Sequence, residues 1–233
     1  MRVAGAAGPT VWFDMDGVVA DFDAGLSVNP ELLRARAELH SLIESAHPSY
    51  IGLSDDQIKA RLRADAADGA RDTEGLRRVF RRYDGLVYAT AGRPGFFEGL
   101  EVLPGAEWMM REAAAISGRR PCVVSAPMGD ESDPLNRCVL EKRRWLERHL
   151  PGLYERAVFT VEKGRVVRDP GDVLIDDRPK YCQKFLDAGA RAIVHTDPGK
   201  TLSMLRSMLG VHERRVAGFR GFLTARPARG RNI

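Results

Sequence analysis

Five short apolar runs punctuate the chain: Val11–Phe13, Cys122–Val124, Ala157–Val161, Val173–Ile175 and Ala192–Val194. They are rich in β-branched residues and do not alternate with polar ones, which predicts parallel strands covered on both faces. Between them lie stretches of helical length and periodicity, Gly105–Ser117, Leu135–Leu150, Pro179–Ala188 and Lys200–Leu209. The alternation predicts an α/β fold with a doubly wound parallel sheet and helices on both sides. Residues 21–104 break the rhythm with helices only. Pro30–Ala46 carries Leu32, Leu33, Leu39, Leu42 and Ile43 near helical spacing, Ser54-Asp55-Asp56-Gln57 is a capping box, and Thr73–Arg82 makes a further short helix. A helical insertion straight after the first strand is expected to cap the carboxyl edge of the sheet and close over substrate. The expected division is a core of residues 1–20 and 105–210, a cap of 21–104, and a C-terminal tail of 211–233.

Composition changes this picture little. A chain of 233 residues with 44% hydrophobic and 29% charged positions is ordinary for a globular protein. No apolar run approaches the ~18 residues of a membrane span, and the N-terminus lacks the apolar stretch of a secretory signal. Cys122, Cys138 and Cys182 are odd in number and far apart, and read as reduced thiols of a cytoplasmic protein. The net charge of +4 misleads. Residues 211–233 hold six arginines and one acid, Glu213, and so contribute +5, which leaves residues 1–210 at −1. The basic tail reads as a solvated terminus that binds nucleic acid weakly at most. Lysine is scarce, six residues against thirty arginines, so each one is informative.

The candidate chemistry sits at predicted strand ends. Asp14 and Asp16 end the first strand, Ser125 the second, Lys163 follows the third, and Asp176-Asp177 end the fourth. In an open parallel sheet these positions share the carboxyl edge, where such folds bind ligands. An Asp-x-Asp pair alone is close to noise, because 18 aspartates give about one by chance. Its setting is what matters: carboxylates serve as nucleophile and metal ligands, while a hydroxyl and an ammonium suit phosphoryl oxygens.

Several segments together resemble a known family. Asp14-Met15-Asp16-Gly17-Val18-Val19-Ala20-Asp21-Phe22 is similar to the first motif of the haloacid-dehalogenase-like phosphatases, in particular the 5′(3′)-deoxyribonucleotidases. In order follow Pro94-Gly95-Phe96-Phe97 with Leu100 and Pro104-Gly105-Ala106, Ser125-Ala126-Pro127, Cys138–Trp145 with His149-Leu150, and Asp172–Pro179. The resemblance spans residues 10 to 180. It implies a magnesium-dependent phosphomonoesterase acting on nucleoside monophosphates, a small-molecule nucleotide as partner, and a homodimer. It implies Asp14 as nucleophile and Asp16 as the acid and base for the leaving oxygen and the water. Magnesium falls to Asp14, the main-chain carbonyl of Asp16, and one of Asp176 and Asp177. Ser125 and Lys163 would bind the phosphoryl group, with Lys142 a further lysine of the same site. Ala126 stands where the family usually has a second hydroxyl, which removes one expected hydrogen bond to substrate or phosphate. Rival readings are a related phosphatase acting on nucleic-acid 3′-phosphate ends or small sugar phosphates, and a non-catalytic nucleic-acid-binding protein.

Other features invite a bland reading. Asp21-Phe22-Asp23 starts the insertion, Asp55-Asp56 complements a helix dipole, and Gly199-Lys200-Thr201 opens a helix rather than a phosphate loop. His195 is expected to be structural. Asp130, Glu131 and Asp133 either repel an anionic substrate or cap the helix that follows.

Overall fold

The computed structural model describes residues 8–69, 72–130, 132–133 and 135–211. The basic tail beyond Val211, and Glu131, therefore lie outside the described residues. Five strands form one sheet: β1 (Val11–Phe13), β2 (Cys122–Ser125), β3 (Ala157–Phe159), β4 (Val173–Asp176) and β5 (Arg191–Val194). All neighbours pair in parallel, in the order β3-β2-β1-β4-β5. Helices α1 (Phe22–Ser27), α2 (Pro30–Ala46), α3 (Asp55–Ala67) and α4 (Glu74–Ala91) lie between β1 and β2 in the chain, followed by α5 (Ala106–Ser117). After β2 come α6 (Arg137–His149) and α7 (Pro151–Tyr154), and α8 (Pro179–Asp187) and α9 (Pro198–Met208) precede and follow β5.

Every residue of β1, β2 and β4 is buried, as unalternated apolar runs require. Alternate side chains go to opposite faces. Trp12, Val124 and Leu174 pack with Tyr181 and Phe185 of α8 on one face. Phe13, Val123 and Ile175, all without solvent exposure, point the other way, and α5 and α9 pack on each other and against the sheet. The chain winds from β1 through β2 to β3 in one direction, then returns to place β4 and β5 on the opposite flank of β1. The carboxyl ends of β1, β2 and β4 thus surround the switch point of a doubly wound sheet.

Two elements differ from expectation. β3 stops at Phe159 rather than Val161, because Thr160 N–H takes the last ladder acceptor, Ser125 O, at 3.0 Å and Thr160 Oγ1 then accepts Glu162 N–H. The chain turns there into a 3₁₀ segment, Lys163–Val166. α4 runs past Arg82 to Ala91, since Tyr83, Thr90 and Ala91 extend the buried face begun by Leu76 and Phe80. Gly85 lies in its interior and is tolerated because the apolar stripe continues on both sides.

The chain divides into two compact units, Asp23–Phe96 and the α/β unit formed by the remainder. In the first, α2 packs on α4, and Asn29 both caps α2 through Oδ1 and donates Nδ2–H to Thr90 Oγ1 at 2.7 Å. The capping box at Ser54 is complete, and Asp55 additionally accepts from Tyr83 Oη at 2.8 Å. In the α/β unit, Asp197 caps α9 through Lys200 N–H, so the Gly-Lys-Thr segment is a helix start. The three cysteines are buried and free, and no described helix is long and apolar enough to cross a membrane.

Candidate active site

The site is built from four strand ends of the α/β unit. Asp14 extends β1 by one rung, its N–H donating to Ile175 O at 2.9 Å. The chain then folds sharply, with Met15 O accepting the N–H groups of Val18, Val19 and Ala20. Gly17 makes this turn possible at φ +73°. A Cβ there would lie 2.5 Å from Asp177 Oδ2, so the missing side chain is the space that Asp177 fills. Gly17→Ala should therefore cost about 1–2 kcal/mol in backbone strain and displace Asp177. Thermal unfolding checks this: the melting temperature should fall.

Lys163 is wholly buried with its Nζ 2.9 Å from Asp14 Oδ1 and 2.5 Å from Asp176 Oδ2, over the Tyr181 ring. Burial alone would lower its pKa. The two carboxylates outweigh burial and hold it above the ordinary lysine value. Asp14 Oδ1 also accepts Met15 N–H at 2.7 Å, and neither bond engages Oδ2. Asp176 spends both oxygens, Oδ2 on Lys163 and Oδ1 on Arg178 N–H at 2.9 Å. Burial and the neighbouring Asp14 push its carboxyl up to about 6 against the pull of Lys163.

Asp177 is different. Its Oδ1 is buried without a hydrogen-bond partner among the described residues, and burial, Asp14 and Asp176 lift its carboxyl to about 8. Asp14, Asp176 and Asp177 can each offer an oxygen within 4.8 Å of the others. Three crowded carboxylates, one with an orphaned buried oxygen, are a donor set that a hard divalent cation fits.

Lys142 holds the other side. It projects from α6 with no solvent exposure, and its Nζ donates to Asp16 Oδ2 at 2.6 Å, Ser125 Oγ at 2.9 Å and Ala126 O at 2.9 Å. Asp16 Oδ1 is a second buried oxygen with no hydrogen-bond partner among the described residues. Burial raises the Asp16 carboxyl, the Lys142 ammonium opposes this, and Asp14 adds to the rise. Ala126 takes part through its main-chain carbonyl, and its methyl packs on the apolar cluster under the sheet.

The structure thus brings together Asp14, Asp16, Ser125, Ala126, Lys142, Lys163, Asp176 and Asp177. His195 is engaged elsewhere: Nδ1 pairs with Thr201 Oγ1 at 2.8 Å, and the main-chain N–H donates to Asp176 O. Asp130 and Asp133 make turns, accepting from Ser132 and from Leu135 N–H. Asn136, not either acid, caps α6.

Residues 77–203 match the family model described as 5′ nucleotidase, deoxy (pyrimidine), cytosolic type C protein. The human 5′(3′)-deoxyribonucleotidase, cytosolic type, is 35% identical over 169 residues, covering 72% of this chain and 70% of that protein. The chain belongs to the 5′(3′)-deoxyribonucleotidase family. The human mitochondrial 5′(3′)-deoxyribonucleotidase is 29% identical over 77% of this chain and 66% of its own length. Among solved structures, a haloacid dehalogenase-like family hydrolase from Xanthomonas campestris covers 90% of this chain at 20% identity and a TM-score of 0.42. Membership makes the chain a nucleotide phosphomonoesterase on a parallel α/β sheet. The family match takes in Ser125, Lys142, Lys163 and the Asp176-Asp177 pair, and starts after Asp14 and Asp16. The nucleotidase site also holds two residues of the resembling segments for which no role was expected. Glu141 is buried and accepts Phe97 N–H through Oε2 at 3.1 Å, and Phe97 lies under the Lys142 ammonium.

Proposed function

We propose that this nucleotide phosphomonoesterase hydrolyses (deoxy)ribonucleoside monophosphates through an aspartyl-phosphate on Asp14. The observation that carries this reading is the unequal treatment of the two carboxylates in the β1 turn. Asp14 Oδ1 is fixed by Met15 N–H and Lys163, so Oδ2 is the oxygen left to attack phosphorus. Asp16 Oδ2 is fixed by Lys142, so Oδ1 is the oxygen left to carry a proton, and burial favours its protonated form.

Asp14 Oδ2 bonds to phosphorus as the ester P–O bond breaks, and Asp16 gives its proton to the departing nucleoside oxygen. Asp16, now ionised, takes a proton from water as the water oxygen attacks the same phosphorus. The acyl-phosphate P–O bond then breaks, which releases phosphate and restores Asp14. Ser125 and Lys163 supply donors to phosphoryl oxygens whose charge grows in each transition state, and the Lys142 ammonium adds its positive charge beside them. Asp14, Asp177 and the Asp16 carbonyl are the residues proposed to hold magnesium, because Asp176 has spent both oxygens on Lys163 and Arg178. When bound, the ion would neutralise charge on the phosphoryl group. The inserted helical segment, by its place in the chain after the β1 turn, is assigned the role of substrate cap.

The pH dependence follows from Asp177. Its carboxyl is lifted to about 8 from an unfolded value near 3.8, so folding favours the protonated form. That contribution is complete below the unfolded value and is lost as pH rises through about 8. The metal-free protein should lose stability between about pH 4 and pH 8, and magnesium should restore it because the ion takes the ionised carboxylate. Calorimetry at pH 7 in buffers of different ionisation enthalpy should show about one proton released per ion. Affinity should climb with pH and level off above about 8, and a flat profile would exclude Asp177 as a ligand.

Phosphate release from 5′- and 3′-nucleoside monophosphates, 3′-phosphorylated oligonucleotides and sugar phosphates, with and without magnesium, tests the substrate class. Magnesium-dependent turnover of mononucleotides above the other two classes is expected. Preference for oligonucleotide ends would instead favour the nucleic-acid reading.

A further inference from the structure

Burying a lysine ammonium is costly unless its donors and its charge are both met. All three N–H bonds of Lys142 have acceptors, and the charge faces the Phe97 ring with Nζ 4.7 Å from the centroid. Phe97 is itself held in two ways. Its ring stacks on Phe22 at 6.1 Å and 26°, and its N–H donates to Glu141 Oε2 at 3.1 Å. Glu141 and Lys142 are neighbours on α6, and both lie on its buried face with Cys138, Trp145 and Leu146. Trp145 adds a further fastening, Nε1–H to Leu100 O at 2.7 Å. One helix face therefore grips the segment from Phe97 to Leu100 and, through the next side chain, holds Asp16.

From this we propose that Phe97, anchored by Glu141, is a positioning residue that keeps the Lys142 ammonium on Asp16 and Ser125. The ring stabilises the charge without offering a competing acceptor, so all three donors stay directed at the carboxylate, the hydroxyl and Ala126 O. Alternative acceptors in that place would draw Nζ away from Asp16. The proposal rests on Asp16 and Lys142 acting in the reaction proposed above. It assigns Phe97 an effect carried by Lys142, not by contact with a nucleobase.

A double-mutant cycle separates these roles. Phe97→Leu keeps apolar bulk and removes the ring; kcat should fall about tenfold with KM changed less than about twofold, the scale of a desolvated cation–π contact. Phe97→Tyr should restore kcat. In a Lys142→Met background the same Phe97→Leu change should have almost no further effect. An equal loss in both backgrounds, or a loss in KM that follows the identity of the base, overturns the proposal. Glu141→Gln, which leaves the ring but weakens its anchor, should lower kcat in the same direction and lose that effect with Lys142→Met.

Nuclear magnetic resonance of the side-chain ammonium groups gives a readout independent of turnover, and only six lysines need assignment. Phe97→Leu should shift the Lys142 signal through the lost ring current and leave Lys163, which lies over Tyr181 at 4.4 Å, in place. An unmoved Lys142 signal overturns the proposal. Absence of phosphatase activity in the unaltered protein would instead refute the reaction, and the resonance shift would still report on the positioning contact.

Discussion

Asp14→Asn should abolish nucleotide hydrolysis, with kcat down by about four to six orders of magnitude, as when a covalent nucleophile is removed. The amide retains Oδ1 as an acceptor for Met15 N–H and Lys163, so the fold should survive the change. What disappears is the attacking oxygen, since an amide does not form the acyl-phosphate. One of the charges that raise Asp176 and Asp177 goes with it, so Asp177 should ionise at lower pH than before. The double signature, lost turnover with a more acidic Asp177, distinguishes the variant from an unfolded protein. Phosphate release reads the first, and the melting temperature followed across pH reads the second. Residual activity within about a hundredfold of the unaltered enzyme would exclude Asp14 as nucleophile.

Lys163→Met is expected to damage stability as much as chemistry. The ammonium has no exposure and compensates Asp14 and Asp176 at 2.9 and 2.5 Å. Removing one partner of a buried ion pair leaves uncompensated charge and costs about 3–5 kcal/mol. Protonating the stranded carboxylates recovers part of this, so the deficit should grow from pH 5 to pH 8. Asp176, already lifted to about 6 with the lysine present, would then titrate higher. Losing the donor proposed to bind the phosphoryl group should lower kcat by a further ~10²–10³. Denaturant unfolding at both pH values measures the first effect. A deficit independent of pH would mean that the pair does not carry the charge balance assigned to it.

The sheet was legible because buried parallel strands announce themselves as unbroken apolar runs: Val11–Phe13, Cys122–Val124 and Val173–Ile175 all stand where expected. Element ends were less so. Thr160 diverts β3 by a single side-chain acceptor, and α4 outruns its arginine pair because burial of Tyr83, Thr90 and Ala91 decides where a helix stops. The site residues at strand ends could be placed from topology alone. Lys142 is harder, because a lysine on a helix is usually solvated. Only the family resemblance pointed to it; the structure shows that residues 138, 141, 142, 145 and 146 make one buried stripe of α6, and two of them are charged. A glutamate and a lysine on an apolar face violate the pattern, and such violations mark a site. The proposed choice of Asp177 over Asp176 as metal ligand had no sequence signal, since it rests on which carboxylate Lys163 and Arg178 N–H engage.

The most direct test of the account is chemical capture of the intermediate. The enzyme is mixed with excess nucleoside monophosphate and magnesium, quenched in acid during turnover and reduced with borohydride, and its peptides are weighed by mass spectrometry. An acyl-phosphate on Asp14 is reduced to homoserine, so that residue alone should show the mass change, and only in samples that received substrate. Reduction at Asp16, Asp176 or Asp177, or no reduction while phosphate is being released, would contradict attack by Asp14.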